Sequence, residues 1–144
     1  MNEPGPTPHR LLGDWHFERV VEDRRSGQRS EVRGTGSVAR ESATLLRWEE
    51  SGTWSRAGGS STVARTHLLA AATSGTGWEV LFDDERLFHP WAPGTEVVHL
   101  CGEDTYRGHY DLDGLPGRWV TRWHCTGPAK DYLLTTTWTR PAPH

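Results

Sequence analysis

The sequence predicts an all-β protein, a single antiparallel up-and-down β-barrel of about eight to ten strands. Polar and apolar side chains alternate with period 2 in about ten segments, which recur roughly every dozen residues. Short turns rich in Gly, Pro, Asp and Ser separate these segments, and no stretch of any length has a helical period. Because a meander of this length removes its exposed edges by closing on itself, we favour a barrel over a sandwich.

The strands are predicted to follow one another through turns short enough for antiparallel neighbours. The first strand opens at Gly13, after a short turn at residues 9–12, and places Trp15 on its inward side. The other predicted strands span residues 29–39, 44–56, 62–71, 78–83, 86–91, 95–101, 104–112, 118–126 and 130–140.

Length and composition fit one domain with a partly polar interior. A chain of 144 residues buries roughly two-thirds of its unfolded surface. The hydrophobic content of 34% is low, and eight Trp residues supply apolar area in large planar pieces. A barrel with a cavity tolerates this, because aliphatic side chains need not fill its interior. We expect residues 1–9 to form a flexible lead-in, residues 10–140 the barrel domain and residues 141–144 a tail.

Charge and motifs exclude several classes of partner. The net charge is −3 and the basic residues are scattered, so we expect no nucleic-acid partner. No basic segment followed by an apolar run marks a signal peptide, and the longest apolar stretch, residues 68–72, is too short to span a membrane. The two cysteines make no disulfide framework. We expect a cytoplasmic protein whose partner is a small organic molecule; the sequence leaves open whether it forms a homodimer.

One stretch, residues 99–110, concentrates the reactive side chains: two imidazoles, a thiol, two carboxylates and two phenols. From residue 104 to residue 112 the alternation is strict, which predicts a strand. One face carries Asp104, Tyr106, Gly108, Tyr110 and Leu112, and the other carries Thr105, Arg107, His109 and Asp111. The second set is entirely polar and is interpreted as the solvent face. The first set mixes aromatic bulk with an acid and a glycine, which is typical of a wall that faces an enclosed, partly polar space.

Gly13 and Trp15 on the first strand, with Arg140 at the end of the last, resemble the calycin superfamily. In lipocalins and their relatives, an arginine from a late strand packs across that tryptophan and closes the base of the barrel. The resemblance therefore implies a calycin-like barrel in which Arg140 lies on Trp15.

More specifically, residues 11–140 resemble an uncharacterised bacterial family of small calycin-like domains. The residues that carry this likeness are Gly13, Trp15, Phe88, His89, His99, Cys101, Asp104, Tyr106, Gly108, Tyr110, Gly127, Pro128, Lys130, Asp131 and Tyr132. Nitrobindin-like barrels and phenolic acid decarboxylases are related to it at the level of the fold, which does not transfer function. The family implies a fold and no activity, so the function must be inferred from the residues.

If Trp15 faces inward, the alternation predicts that a set of ionisable and hydrogen-bonding side chains also faces the lumen. The set contains Arg19, Glu50, Arg65, His67, Asp104, Tyr106, Lys130 and Tyr132, to which we add His89 and His99. A charge in a lumen is costly unless it is paired or used, so the set indicates either internal ion pairs or a polar ligand site.

The inward cations exceed the inward carboxylates by one charge, which favours an anionic ligand; tryptophans on the inner faces favour an aromatic one. The candidate ligand-binding residues are Arg19, Glu50, Arg65, His67, Lys130 and Tyr132. Arg65 and Lys130 could hold a carboxylate or phosphate, with arginine binding it in bidentate fashion. For Lys130 the alternative is a rim position beside the Gly-Pro turn, paired with Asp131.

The catalytic candidates are Asp104, Tyr106, His99 and His89, because a carboxylate can orient an imidazole or a phenol that moves a proton. Such a protein would be a cofactor-independent acid–base enzyme: an isomerase, cyclase, dehydratase or decarboxylase. The alternatives are a non-catalytic carrier or sensor with the same pocket, a buried hydrogen-bond network that holds strand register, and a structural barrel with a filled lumen. The sequence leaves open whether the protein is an enzyme.

We predict neither a metal nor a cofactor. His99, Cys101 and Asp104 are of metal-ligating types, but their spacing matches no standard zinc pattern. A lone histidine is the only feature that would support haem ligation. Cys101 has His89 and His99 as candidate partner bases for nucleophilic chemistry; a buried, inert thiol is the alternative.

Overall fold

The computed structural model describes residues 7–142 and contains a short 3₁₀ helix followed by ten β-strands. The 3₁₀ helix spans Pro8–Leu11. The strands are β1 (Gly13–Asp23), β2 (Arg29–Ser42), β3 (Leu45–Arg56), β4 (Gly59–Ala71), β5 (Trp78–Phe82), β6 (Leu87–Pro90), β7 (Val97–Cys101), β8 (Asp104–Asp111), β9 (Arg118–Gly127) and β10 (Lys130–Thr139). Within residues 7–142, no helix has the length and apolarity that a membrane-spanning helix requires.

All ten strands form one antiparallel sheet in the order β6-β5-β4-β3-β2-β1-β10-β9-β8-β7. Each strand therefore pairs with its neighbours in the chain, except at β6 and β7, and β1 pairs with β10. The two end strands, β6 and β7, lie beside each other, so the sheet curls into a nearly closed barrel. The predicted all-β, up-and-down barrel is confirmed.

A side chain bridges the gap between the two end strands. His99 on β7 donates a hydrogen bond from Nδ1 to the backbone carbonyl of Phe88 on β6, at 2.9 Å. The Phe88 ring also contacts the His99 ring edge-on, with their centroids 5.2 Å apart. The seam is therefore held by a side-chain contact in place of a backbone ladder.

Large aromatic side chains close one end of the barrel. Trp15, Trp119 and Trp138 are each 1% exposed, and the rings of Trp119 and Trp138 stack with centroids 3.8 Å apart. The Arg140 guanidinium carbon lies 3.6 Å from the centre of the Trp15 ring. Arg140 also donates hydrogen bonds to the carbonyls of Leu12 and Asp14, which ties the chain end to the start of β1. The arginine-on-tryptophan base that the calycin resemblance implies is present.

The strand bounds depart from the predicted ones by a few residues. The largest departures are at β2, which continues to Ser42, and at β4, which begins at Gly59. The predicted lead-in extends too far, because Pro8 is buried and begins the 3₁₀ helix, and His9 packs edge-on against Trp78. The rest of that segment, residues 1–6, lies outside the described residues, as do residues 143–144 of the predicted tail.

Candidate functional site

The open end of the barrel contains two adjacent cavities, which we call lobes. The first, of about 620 Å³, is lined by β1–β4 and β10 and is called here the arginine lobe. The second, of about 750 Å³, is lined mainly by β4–β9 and is called the histidine lobe. Arg65 and Leu134 line both lobes and mark the boundary between them. Because this space is open, the alternative of a filled lumen is wrong.

The floor of the arginine lobe is a buried ion-pair cluster. Glu50 accepts hydrogen bonds at Oε1 from Arg19 Nη2, at 3.0 Å, and from Arg65 Nη2, at 2.9 Å. Its Oε2 accepts from the indole N–H of Trp138, at 3.2 Å, and Arg19 Nε donates to the Thr136 hydroxyl, at 2.7 Å. One carboxylate thus faces two guanidinium groups, and the cluster keeps one uncompensated positive charge.

Burial and pairing act against each other on the pKa values of this cluster. Burial raises the pKa of Glu50, but the charges of Arg65 and Arg19 outweigh it, so that the net pKa is below the usual value. Burial lowers the pKa of Arg19, and Glu50 offsets part of that effect. We conclude that Glu50 is ionised and that the cluster is charged at neutral pH.

Small residues on β2 make room for this cluster. Arg19 on β1 and Glu50 on β3 are separated by β2, whose inward positions there include Gly34 and Gly36. A Cβ atom added to Gly36 would lie 3.5 Å from Glu50 Cγ and 3.1 Å from the Glu49 carbonyl oxygen. Without side chains at these positions, the Arg19 side chain can reach across β2 to the carboxylate.

The walls of the arginine lobe combine apolar area with positive charge. The apolar contributions come from Phe17, Val21, Val32, Trp54, Val63 and Leu134. The charged residues that line it are Arg19, Arg29, Arg56 and Arg65 against Asp23 and Glu50. Tyr132, a predicted ligand-binding residue, also lines this lobe.

Aromatic rings form the wall of the histidine lobe. Phe88 stacks on Phe82, with centroids 4.6 Å apart, and on Trp123, with centroids 5.1 Å apart. His67 stacks on Phe88 as well, at 5.4 Å. His99, Tyr106, Cys101 and Cys125 complete this lobe with polar or polarisable groups.

His67 is a buried, neutral imidazole. Its Nδ1 lies 3.2 Å from the Leu81 carbonyl oxygen, and its pKa is lowered to about 4, first by burial and then by the charge of Arg65. Because a carbonyl oxygen only accepts hydrogen bonds, we assign the proton to Nδ1 and the lone pair to Nε2.

Lys130 lies at the rim and holds two of the predicted catalytic residues together. Its Nζ is 3.0 Å from Asp104 Oδ2 and donates to the Tyr106 hydroxyl at 3.2 Å. The hydrogen bond to Asp104 and then that to Tyr106 raise the pKa of Lys130. The alternative pairing of Lys130 with Asp131 is wrong, since Asp131 instead accepts a hydrogen bond from His124, at 2.7 Å.

His89 lies in the core and lines neither lobe. It is 1% exposed and both ring nitrogens are engaged: Nδ1 donates to the Pro90 carbonyl at 2.7 Å, and Nε2 accepts from the Tyr110 hydroxyl at 3.1 Å. Burial lowers its pKa to about 4. This position does not support the proton-transfer role predicted for His89 and corresponds to the hydrogen-bond network that was its alternative.

The structure thus separates the predicted site residues into four places. Arg19, Glu50, Arg65 and Tyr132 meet in the arginine lobe; His67, His99 and Tyr106 meet in the histidine lobe; Asp104 and Lys130 pair at the rim; His89 is enclosed in the core. Phe82 and Phe88 were not predicted site residues, and Trp123 was one of several tryptophans of which one or two were expected to line the pocket. Nothing local in the sequence distinguishes a ring that lines a cavity from one that fills a core.

The cysteines are free, with Cys101 exposed and Cys125 buried. Burial raises the pKa of the Cys125 thiol to about 11, which keeps it protonated. Among residues 7–142, no three His, Cys, Asp or Glu side chains come together as a group that could hold a metal ion.

Comparison with known proteins supports the fold over nearly the whole chain. The profile of a family of unknown function, DUF6314, matches residues 11–140. The S-type phycobiliprotein lyase CPES from Guillardia theta is structurally similar, with a TM-score of 0.64, 10% identity, and coverage of 94% of this chain and 91% of the lyase. The barrel EF1p2_mFAP2b, described in complex with DFHBI, has a TM-score of 0.50, 16% identity, and coverage of 94% and 97%. The curated proteins include no match.

Proposed function

We propose that this chain, which belongs to the family of unknown function DUF6314, binds a small anionic organic molecule in the lumen of its barrel. The observation that carries the proposal is the Arg19–Glu50–Arg65 cluster on the floor of an open cavity. Two guanidinium groups share one carboxylate there, and the remaining charge has no counter-ion among residues 7–142.

Arg65 is the member of the cluster that a ligand can reach. Its side chain is 44% exposed, against 11% for Arg19 and 4% for Glu50. Among residues 7–142 only its Nη2 is hydrogen-bonded, to Glu50, so the other donors of its guanidinium fork are free to bind a ligand. An anion there gains charge-assisted hydrogen bonds from a group that the cluster already holds in place.

The rest of the cavity suits an organic body. Apolar and aromatic side chains form most of the wall of both lobes, and each lobe has the size of typical small-molecule sites, about 300–1,000 Å³. The fold neighbour described in complex with DFHBI supports the proposal that a barrel of this architecture binds a small molecule.

The proposal is tested with two fluorescent probes that share one ring system. The anion 8-anilinonaphthalene-1-sulfonate carries a sulfonate, and N-phenyl-1-naphthylamine lacks it. We expect Arg65→Met to weaken binding of the anion by about tenfold or more, because a charge-assisted hydrogen bond contributes about 1.5–3 kcal/mol. Binding of the neutral probe should change little.

Arg33→Met is the matched control, since Arg33 lies on the outer face of β2 with its side chain 68% exposed. Arg65→Lys keeps a positive charge and should retain most of the affinity if charge is what matters. Equal affinities of the wild-type protein for the two probes, or anion binding that is unchanged in Arg65→Met, would contradict the proposal.

A second candidate function is acid–base catalysis in the histidine lobe, favoured by the presence of His67, His99 and Tyr106 on one cavity wall. Asp104 would then act as a positioning residue, because it reaches Tyr106 only through Lys130. Incubation of the protein with a metabolite extract separates the two functions by mass spectrometry. A binding protein retains compounds unchanged, whereas an enzyme depletes a substrate in the wild type and not in Tyr106→Phe.

A further inference from the structure

Backbone carbonyls of the barrel wall fix the same tautomer in the two histidines of the histidine lobe. The His67 Nδ1 faces the Leu81 carbonyl at 3.2 Å, and the His99 Nδ1 faces the Phe88 carbonyl at 2.9 Å. Both carbonyls only accept, so both Nδ1 atoms carry hydrogen. In the neutral form of each ring, Nε2 is then a hydrogen-bond acceptor with a free lone pair.

These Nε2 atoms are available to a ligand. Both residues line the histidine lobe, and neither Nε2 has a hydrogen-bond partner among residues 7–142. Within the described residues, the fully buried side-chain polar atoms that lack a partner are the indole nitrogens of Trp91 and Trp119. The two Nε2 atoms are not fully buried in this sense. His67 stays neutral at physiological pH because burial lowers its pKa to about 4.

The charges that line the two lobes differ in balance. In the histidine lobe, Arg65 and Arg86 are matched by Asp83 and Asp84, whereas arginines outnumber carboxylates in the arginine lobe. The anion of a ligand therefore belongs on Arg65, at the boundary, and an uncharged part that donates hydrogen bonds belongs in the histidine lobe.

The wall of the histidine lobe is built largely from aromatic rings that stack on one another. The Phe88 and Trp123 planes are within 13° of each other, and Phe82 and Phe88 are within 21°. A planar ring gains stacking or edge contacts with such a wall in addition to the apolar area that it buries.

We infer that the ligand is an aromatic anion whose ring carries an O–H or N–H donor, with its anionic group on Arg65 and its donor on the Nε2 of His67 or His99. The inference rests on the proposed function, because it takes Arg65 as the anion ligand. It adds the chemical class of the ligand and the direction in which the ligand lies.

The experiment compares 6-hydroxynaphthalene-2-sulfonate with its methoxy ether, two anions that differ in one donor. We expect the wild-type protein to bind the hydroxy compound about tenfold more tightly, because the ether leaves a cavity acceptor without a partner. His67→Phe should reduce that preference severalfold. His16→Phe, on the exposed outer face of β1, is the matched control and should retain it.

A measurement on the wild-type protein covers the case in which His67→Phe does not fold. In protein with ¹⁵N-labelled histidine, the hydroxy compound should shift the Nε2 resonance of His67 or His99, and the ether should not. Equal affinity for both compounds, together with Arg65-dependent binding, would overturn the inference and leave the proposed function standing. Binding that is independent of Arg65, or no binding of either compound, would contradict the proposed function itself.

Discussion

At the scale of the residue, the site depends on ionisable groups whose charge states burial and neighbours set. His67 and His89 are 4% and 1% exposed, and burial is the first cause of the lowered pKa of each, to about 4. Both therefore fold as neutral rings. Glu50 differs from the histidines. The charges of its two arginine partners outweigh the effect of burial and lower its pKa, so that it is ionised in the folded protein.

These shifts predict that the protein loses stability as the pH falls from about 6.5 to about 4. In that range the unfolded chain binds protons at both histidines and the folded protein does not, so the free energy of unfolding rises with pH. Between pH 7 and pH 5 the loss should be about 2 kcal/mol for each histidine. Glu50 adds a further loss only below its ordinary pKa of 4.5.

Urea unfolding at pH 7 and pH 5 measures this dependence. His67→Phe should remove roughly half of the difference, because one of the two buried histidines no longer titrates. A free energy of unfolding that is the same at both pH values would show that the two rings are protonated in the folded state as readily as in the unfolded chain.

At the scale of the element, strand alternation predicted which side chains face inward but not which of them pair. The alternation of β8 correctly separates Tyr110, at 3% exposed, from the exposed Arg107. Of the ion pairs at the site, Glu50–Arg65 joins the neighbouring strands β3 and β4, whereas Arg19–Glu50 and Asp104–Lys130 each join strands separated by a third. Asp104 on β8 reaches Lys130 on β10 across Gly127 of β9, where an added Cβ would collide with the Asp104 carboxylate.

The same arrangement, an inward glycine beneath a large side chain, recurs where Trp123 lies over Gly108. A Cβ at Gly108 would lie 2.5–2.6 Å from three atoms of the Trp123 ring. The missing Cβ at Gly108 thus gives the Trp123 ring the space that it occupies. The side chain that occupies the space above such a glycine comes from a neighbouring strand, so the sequence of one strand does not identify it.

Gly108→Ala should displace the Trp123 ring from its stack on Phe88 and destabilise the protein by about 1–3 kcal/mol, the usual cost of overpacking. Gly58→Ala is the control, because nothing lies within 4 Å of a Cβ built there. Urea unfolding and near-ultraviolet circular dichroism report the two effects. Unchanged aromatic circular dichroism in Gly108→Ala would mean that Trp123 does not depend on this space.

At the scale of the whole molecule, the fold followed from local signals because an up-and-down meander pairs each strand with its neighbour in the chain. Trp15 and Arg140, the residues that carried the calycin resemblance, meet at the closed base. The lumen was less predictable, since closing the barrel brings together residues that are distant in sequence. Arg19 and Glu50 are one such pair, and the division of the cavity at Arg65 is another result of closure.

The central claim is that the barrel binds an organic anion in its lumen on Arg65. A crystal structure of the protein with 8-anilinonaphthalene-1-sulfonate tests it most directly. We predict the sulfonate within hydrogen-bond distance of the Arg65 guanidinium and the rings inside the cavity, against the walls of one or both lobes. A probe bound on the outer face of the sheet, or a sulfonate in the lumen that does not contact Arg65, would contradict the claim.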